Sequence, residues 1–309
     1  MGWTPDTLPD LKGKTYVITG GNSGLGLEAA KILGGRGARV VITSRSAERG
    51  EAALDTIRAS APDADVSQVR LDLSDADSPD QAAGEIRERC PTLDAVINNA
   101  GVMQPPLRRT DEGFELQFAT NHLGHFRLNR ALFDLLEASE GRIVPVSSIA
   151  HEMGEIDLED LNSHDKRYDA TAAYSQSKLA NLMYGLELQR RLETRGSRVT
   201  SITCHPGYAA TNLQSSGVGM DGGSIFLRWL YKLSNRTVAQ TATEGAYPLC
   251  LAAADPNARA GAYYGPTGLM NARGPVGECS MHRKAKDTRV AAALWDKTEE
   301  LVGPFFSET

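Results

Sequence analysis

Cysteine is scarce and scattered. Cys90, Cys204, Cys250 and Cys279 are spread over 309 residues with no Cys-x-x-Cys pair. That spacing excludes a disulfide framework and the common zinc sites, and it fits a reducing compartment. Long apolar runs are missing as well. The longest low-charge stretch, residues 246–254, is about half of what a membrane helix needs. Positive charge is not in excess: the net charge is −6, which speaks against a nucleic-acid binder. The first fourteen residues hold no apolar segment of the secretory type. No internal repeat or low-complexity linker interrupts the chain. The expectation is a soluble cytoplasmic protein with no nucleic-acid partner and no membrane span. Glycine, by contrast, is plentiful at 30 residues, as in a fold with many tight turns or close backbone approaches.

Short β-branched runs alternate with amphipathic stretches. Strands are predicted over 16–19, 39–43, 66–71, 94–97, 142–146 and 198–203. Helices are predicted over 28–36, 47–59, 81–89, 111–138 and 172–194. Strands separated by helices predict βαβ units, hence an α/β fold with a parallel sheet. The nearly all-apolar strands fit burial on both faces. Pro145 fits badly, because proline removes a ladder donor from what reads as a central strand. Beyond His205 the pattern weakens, and the tail from Gly261 to about Thr288 reads as irregular.

Between the first strand and first helix lies Thr19-Gly20-Gly21-Asn22-Ser23-Gly24-Leu25-Gly26. Glycines here permit a tight turn and close approach to a pyrophosphate, whose charge a helix N-terminus stabilises. An ordinary glycine-rich βα turn is the alternative. Further along, Tyr174 and Lys178 are four apart and share a helix face. A free tyrosine is a poor base at neutral pH, but a nearby ammonium favours its phenolate. The pair can therefore act as an acid/base unit; taken alone, an exposed tyrosine and a solvated lysine would be the better reading.

With Asn98-Asn99-Ala100-Gly101 after the fourth strand, Tyr174-Ser175-Gln176-Ser177-Lys178, and Pro206-Gly207 with Thr211, the chain resembles the classical short-chain dehydrogenase/reductase family. Four motifs stand in the family order over about residues 13–211. The resemblance implies a single doubly wound Rossmann-type α/β domain over residues 1–309, with helices on both faces of a central parallel sheet. It implies hydride transfer between a nicotinamide and a carbonyl/alcohol pair, with Tyr174 giving or taking the proton. Lys178 would tune Tyr174 and bind the nicotinamide ribose. Of Ser147 and Ser148, family sequences of this type use the second, so Ser148 would hold the substrate oxygen. Asn121 would support a proton-relay water; bonding to backbone within its helix is the alternative.

The implied cofactor site comprises Gly20, Asn22, Ser23, Gly24, Leu25, Gly26, Ser44, Arg45, Asp72, Leu73, Asn99, Ala100, Gly101, Tyr174, Lys178, Pro206, Gly207 and Thr211. At the end of the second strand, an acidic residue would take an NAD ribose and a basic one the NADP 2′-phosphate. Ser44 occupies the acidic position and Arg45 follows it. A guanidinium matches phosphate geometry, so NADP(H) is expected, with Arg49 as a second candidate.

The 26-residue separation of Ser148 and Tyr174, together with Asn121-His122-Leu123-Gly124-His125-Phe126, resembles the retinol-dehydrogenase-like branch. That branch implies a lipophilic substrate without naming it. Residues 212–236 read as a substrate-covering segment, hinged among Gly217, Gly219, Gly222 and Gly223 and carrying Phe226, Trp229, Leu230 and Leu233. A permanently packed helix and a membrane-surface contact are the alternatives. His122 and His125 are three apart, but no partner completes a metal site, and none is expected. His151 reads either as facing the substrate or as a loop residue. Many relatives pair through the helices equivalent to 111–138 and 172–194, so a homo-oligomer is one implied state. Two other functions stay open: a cofactor-binding sensor or scaffold without turnover, and an NADPH-dependent C=C reductase.

Overall fold

The computed structural model describes residues 2–164, 167–208 and 240–306. The chain begins with β1 (Thr15–Ile18), α1 (Gly24–Gly35), β2 (Arg39–Ser44), α2 (Ala47–Ser60), β3 (Asp65–Arg70), α3 (Ser78–Arg89) and β4 (Ala95–Asn98). It continues through α4 (Leu116–Phe118), α5 (Gly124–Ala131), α6 (Phe133–Ser139), β5 (Arg142–Pro145), α7 (Ala170–Arg195), β6 (Thr200–Ser201) and β7 (Thr203–Cys204). Then follow α8 (Ala242–Ala254), β8 (Tyr263–Pro266), β9 (Val276–Glu278) and α9 (Thr288–Val302). Thr211 and the segment 212–236 lie outside the described residues.

Six strands form a parallel sheet in the order β3-β2-β1-β4-β5-β6, the Rossmann arrangement. The order reverses between β1 and β4, where open α/β sheets place ligands beyond their carboxyl ends. Alternation along the strands feeds two apolar clusters. Tyr16 and Ile18 of β1 enter one and Val17 the other; Val40 and Ile42 of β2 oppose Val41 likewise. The first cluster is closed by α1, α2 and α8, the second by α3, α5, α6, α7 and α9. Covering both faces is what makes these strands read as continuous apolar runs. Among the described residues, no helix is long and apolar enough to cross a membrane.

The expected 111–138 helix is broken. Residues 119–123 wind into a π-helical turn around Asn121, and α5 ends at Leu132 (φ −102°, ψ 2°) before α6 begins. An apolar stripe continues across such breaks, so periodicity does not register them. The tail also holds more order than expected. There β8 pairs parallel to β7 and antiparallel to β9, as a small second sheet.

Pro145 marks the seam between the two sheets. It closes the β5 ladder against β4, opposite Asn98. Towards the next strand, Ile202 N donates to Ile143 O and Ser147 N donates to Cys204 O. The intervening rung would need an N–H from Pro145, which has none. The ladder accordingly splits there, between β6 and β7. The proline ring lies against Gly185 of α7, where a Cβ would come within 3.3 Å of its Cγ.

Candidate active site

The glycine turn after β1 has left-handed backbone at Gly20 (φ 64°) and Gly24 (φ 55°). A Cβ on Gly26 would fall 2.6 Å from both Asn99 Nδ2 and Gly20 O, so only glycine lets α1 start this close to the loop after β4. Asn99 Nδ2 fastens that approach by donating to Thr19 O (2.8 Å). Side chains cap α2, α7, α8 and α9; none caps α1, as none caps α3, so the first N–H groups of α1 have no side-chain acceptor. An uncapped N-terminus of this kind suits an anion.

In front of it opens a cavity of about 740 Å³ at the carboxyl ends of β1, β2 and β4. Twelve of the expected cofactor residues line it: Gly20, Asn22, Ser23, Gly24, Leu25, Ser44, Arg45, Asp72, Leu73, Asn99, Ala100 and Gly101. Gly26 packs behind the turn. Ser44 Oγ turns inward and donates to Ser46 O (2.9 Å), while Ser46 caps α2. Arg45 and Arg49 are exposed on the wall, and among the described residues neither is held in an ion pair. Asp72 accepts from Ser74 Oγ (2.6 Å), which fixes its loop. Val102, Met103, Pro105 and Thr120 extend the lining beyond the expected set. Motif spacing does not reach them, because they arrive through the loop after β4 and the π-helical turn.

Asn121, Ser148, Tyr174 and Lys178 do not line this cavity; Lys178 and Asn121 lie behind Gly101, which does. A Cβ at Gly101 would lie 3.7 Å from Lys178 Nζ and 2.9 Å from Asn121 Oδ1. Lys178 is only 4% exposed, and burial lowers its pKa to about 8. Its Nζ donates to Val146 O (3.2 Å) and lies 5.8 Å from the centre of the buried Tyr174 ring. The sequence spacing thus does place both side chains on one face of α7.

Asn121 is fully buried, and its side chain is engaged outside its own helix. Oδ1 accepts from Val102 N (2.8 Å), and Nδ2 donates to Val102 O (3.0 Å) and Ser177 Oγ (2.9 Å). It therefore ties the loop after β4 to α7. Its main-chain carbonyl accepts from His125 Nδ1 (3.0 Å). Ser147 is buried and donates to Lys178 O (2.8 Å). Ser148 is half-buried and accepts from Ala150 N (3.2 Å) at the head of the 3-10 turn Ile149–Met153. Gly207 adopts φ 68°, its N–H donating to His205 Nδ1 (3.1 Å), and Pro206 O accepts from Gln240 Nε2 (3.2 Å).

His122, His125, His151 and His205 are buried connectors. Burial lowers the pKa of His122 to about 4 and those of His125 and His205 to about 3. His122 contacts Thr298 Oγ1 (3.0 Å). His125 Nε2 meets Thr19 Oγ1 (2.8 Å), which in turn accepts from Ala100 N (2.9 Å). This link between the glycine turn and the π-helical turn is invisible to sequence reasoning, since 106 residues separate its ends. His151 is buried rather than open to a substrate. Among the described residues, no group of three His, Cys, Asp or Glu side chains is arranged to hold a metal.

A Rossmann-type sheet with a glycine-lined cavity at its switch point defines a nucleotide-binding class of α/β protein. The chain belongs, within that class, to the short-chain dehydrogenase/reductase family of oxidoreductases, which use nicotinamide cofactors. The family model described as short chain dehydrogenase matches residues 14–219. Human retinol dehydrogenase 13 is 40% identical over 95% of this chain and 86% of its own length. Short-chain dehydrogenase TIC 32 A, chloroplastic, of Brassica napus is 36% identical over 95% of this chain and 90% of its own. These relatives place the chain in the retinol-dehydrogenase-like branch. A solved structure of a Mycobacterium paratuberculosis protein superposes with a TM-score of 0.80 at 38% identity, covering 98% of both chains.

Proposed function

We propose that this chain is an NADP(H)-dependent oxidoreductase acting on a lipophilic carbonyl/alcohol pair, with Tyr174 as general acid/base. The observation that carries the reading is the 740 Å³ cavity, which meets an uncapped α1 at one end, two guanidinium groups at another, and Gly101 beside Lys178 at a third. The α1 N–H groups, Gly20 and Gly24 would hold the pyrophosphate. Arg45, helped by Arg49, would pair with a 2′-phosphate at the end of β2. Asp72 and Leu73 would contact the adenine, and Asn99, Ala100 and Gly101 the inner ribose. Pro206, Gly207 and Thr211 would close over the nicotinamide end. The bound nicotinamide supplies or accepts the hydride.

The chain's own groups then handle the proton. Ser148 would hold the substrate oxygen, and Tyr174 would give that oxygen a proton in reduction and take it in oxidation. Lys178 would favour the phenolate and bind the nicotinamide ribose. The Asn121 side chain keeps the loop carrying Val102 against α7; a relay water would add to Asn121 Oδ1 or to its main-chain carbonyl, each of which already accepts a bond. Residues 212–236 would cover a lipophilic substrate, a reading supported by relatives named for retinol.

Fluorescence titration with NADPH and NADH tests the cofactor. NADPH should bind more tightly, and Arg45→Ala should remove about 1–3 kcal/mol of that margin. Equal binding of NADH, or no effect of the substitution, overturns the NADP assignment. A panel of lipophilic aldehydes should then be turned over by the wild type and not by Tyr174→Phe. Binding without turnover would favour the sensor reading, and a saturated C–C product the C=C reductase.

A further inference from the structure

Three aromatic rings lie buried behind Ser148, and the chemistry proposed above uses none of them. His151, Tyr263 and His205 are each about 1% exposed. The His151 ring stands edge-on to Tyr263, with centroids 5.6 Å apart. Tyr263 stacks on His205 at 4.9 Å. Tyr263 belongs to β8, while the two histidines follow β5 and β7. The stack therefore spans the two turns that flank the proposed active site, those of Ser148 and of Pro206–Gly207.

Its polar atoms are aimed at those turns. Ser148 O accepts from both His151 N (3.0 Å) and His151 Nδ1 (2.7 Å). Donation from Nδ1 leaves Nε2 as the acceptor, and it takes the His282 N–H (3.4 Å). The Tyr263 hydroxyl lies 3.4 Å from His151 Nδ1. At the other end of the stack, His205 Nδ1 accepts the Gly207 N–H. Its Nε2 then carries the proton and, among the described residues, has no partner. A buried donor without a partner costs stability that an apolar ring in the same space would not. Packing alone does not ask for that arrangement; fixing the backbone of two turns does.

We infer that His151 is a positioning residue for Ser148, holding its carbonyl through Nδ1 and locking its turn, through Tyr263 and His205, to the Pro206–Gly207 turn. The inference rests on Ser148 being the group that holds the substrate oxygen. A small displacement of such a group costs up to about 100-fold in rate.

The test uses two near-isosteric substitutions, with Ser148→Ala beside them. In His151→Asn the amide nitrogen replaces Nδ1, and in His151→Gln it replaces Nε2. Steady-state turnover of an aldehyde with NADPH is measured together with NADPH affinity and melting temperature. His151→Asn should keep kcat within about threefold of wild type. His151→Gln should lose about 10- to 100-fold in kcat, with KM and NADPH affinity within about twofold. Should His151→Gln fail to fold, Tyr263→Leu, which takes away the ring between the two imidazoles, should show the same loss of kcat at unchanged NADPH affinity. Equal kcat in the two His151 variants, whether high or low, overturns the positioning role while leaving Ser148 in place if Ser148→Ala is inactive. Turnover that survives Ser148→Ala overturns the site assignment itself.

Discussion

Lys178 shows at the residue scale how much stability a working site gives up. Burial lowers its pKa to about 8, against about 10.4 in an unfolded chain. The native state thus holds the ammonium less tightly than the unfolded chain does. Between about pH 8 and 10.4, unfolding takes up a proton, so stability rises with pH across that window. At pH 7 the ammonium is present in both states and the full cost of burying it remains, on the order of 3 kcal/mol. The carbonyl it serves has a second donor, since Asn181 Nδ2 also reaches Val146 O (3.3 Å). Lys178→Met should therefore stabilise the protein by about 1–3 kcal/mol at pH 7 and abolish turnover. Paired thermal melts and activity assays check this; a lower melting temperature in the variant would count against it.

At the scale of elements, α9 decides how the second apolar cluster is closed. Its Trp295 stacks on Tyr184 of α7 (5.8 Å) and meets Phe126 of α5 edge-on (5.1 Å). Phe305 and Phe306 follow the helix and pack on Phe133. Arg191 lies over the Trp295 ring (4.7 Å) and Arg195 over Phe306 (4.3 Å). Residues 288–306 thus cover part of the surface of α5, α6 and α7. Trp295→Ala should cost about 3–5 kcal/mol, as for other buried large-to-small changes. Urea denaturation measures it, and NADPH affinity of the folded protein should not move. A loss under 1 kcal/mol would mean that α9 is not part of the cooperative core.

For the whole molecule, the buried histidines set an acid limit. His122, His125, His151 and His205 all have lowered pKa values, chiefly from desolvation. An unfolded chain protonates them near pH 6.5, whereas the native His122 resists to about 4 and His125 and His205 to about 3. Their stability contribution is complete above about pH 6.5 and is lost as pH falls below it, by up to about 1.4 kcal/mol per unit for each site. Melting temperature should drop steeply between pH 7 and 5, where carboxylates in ion pairs, such as Glu187 with Arg190 and Arg191, are still charged. His122→Asn should flatten the slope. A melting temperature constant to pH 5 would refute the assignment of neutral buried imidazoles.

What the sequence determined by itself is local or periodic. The glycine turn, the four-residue spacing of Tyr174 and Lys178, and Arg45 after β2 are legible because backbone sterics and helix geometry act over a few residues. The parallel sheet is legible because strands buried on both faces must be apolar throughout. Long-range contact decided the rest. That Asn121 clamps Val102, that His125 reaches Thr19, and that Pro145 divides two sheets depend on segments brought together by the closure of both apolar clusters. The same closure buries Ser147 against α7 and leaves Ser148 half-exposed. Neighbouring serines of identical chemistry differ there only in which face of the fold each one meets.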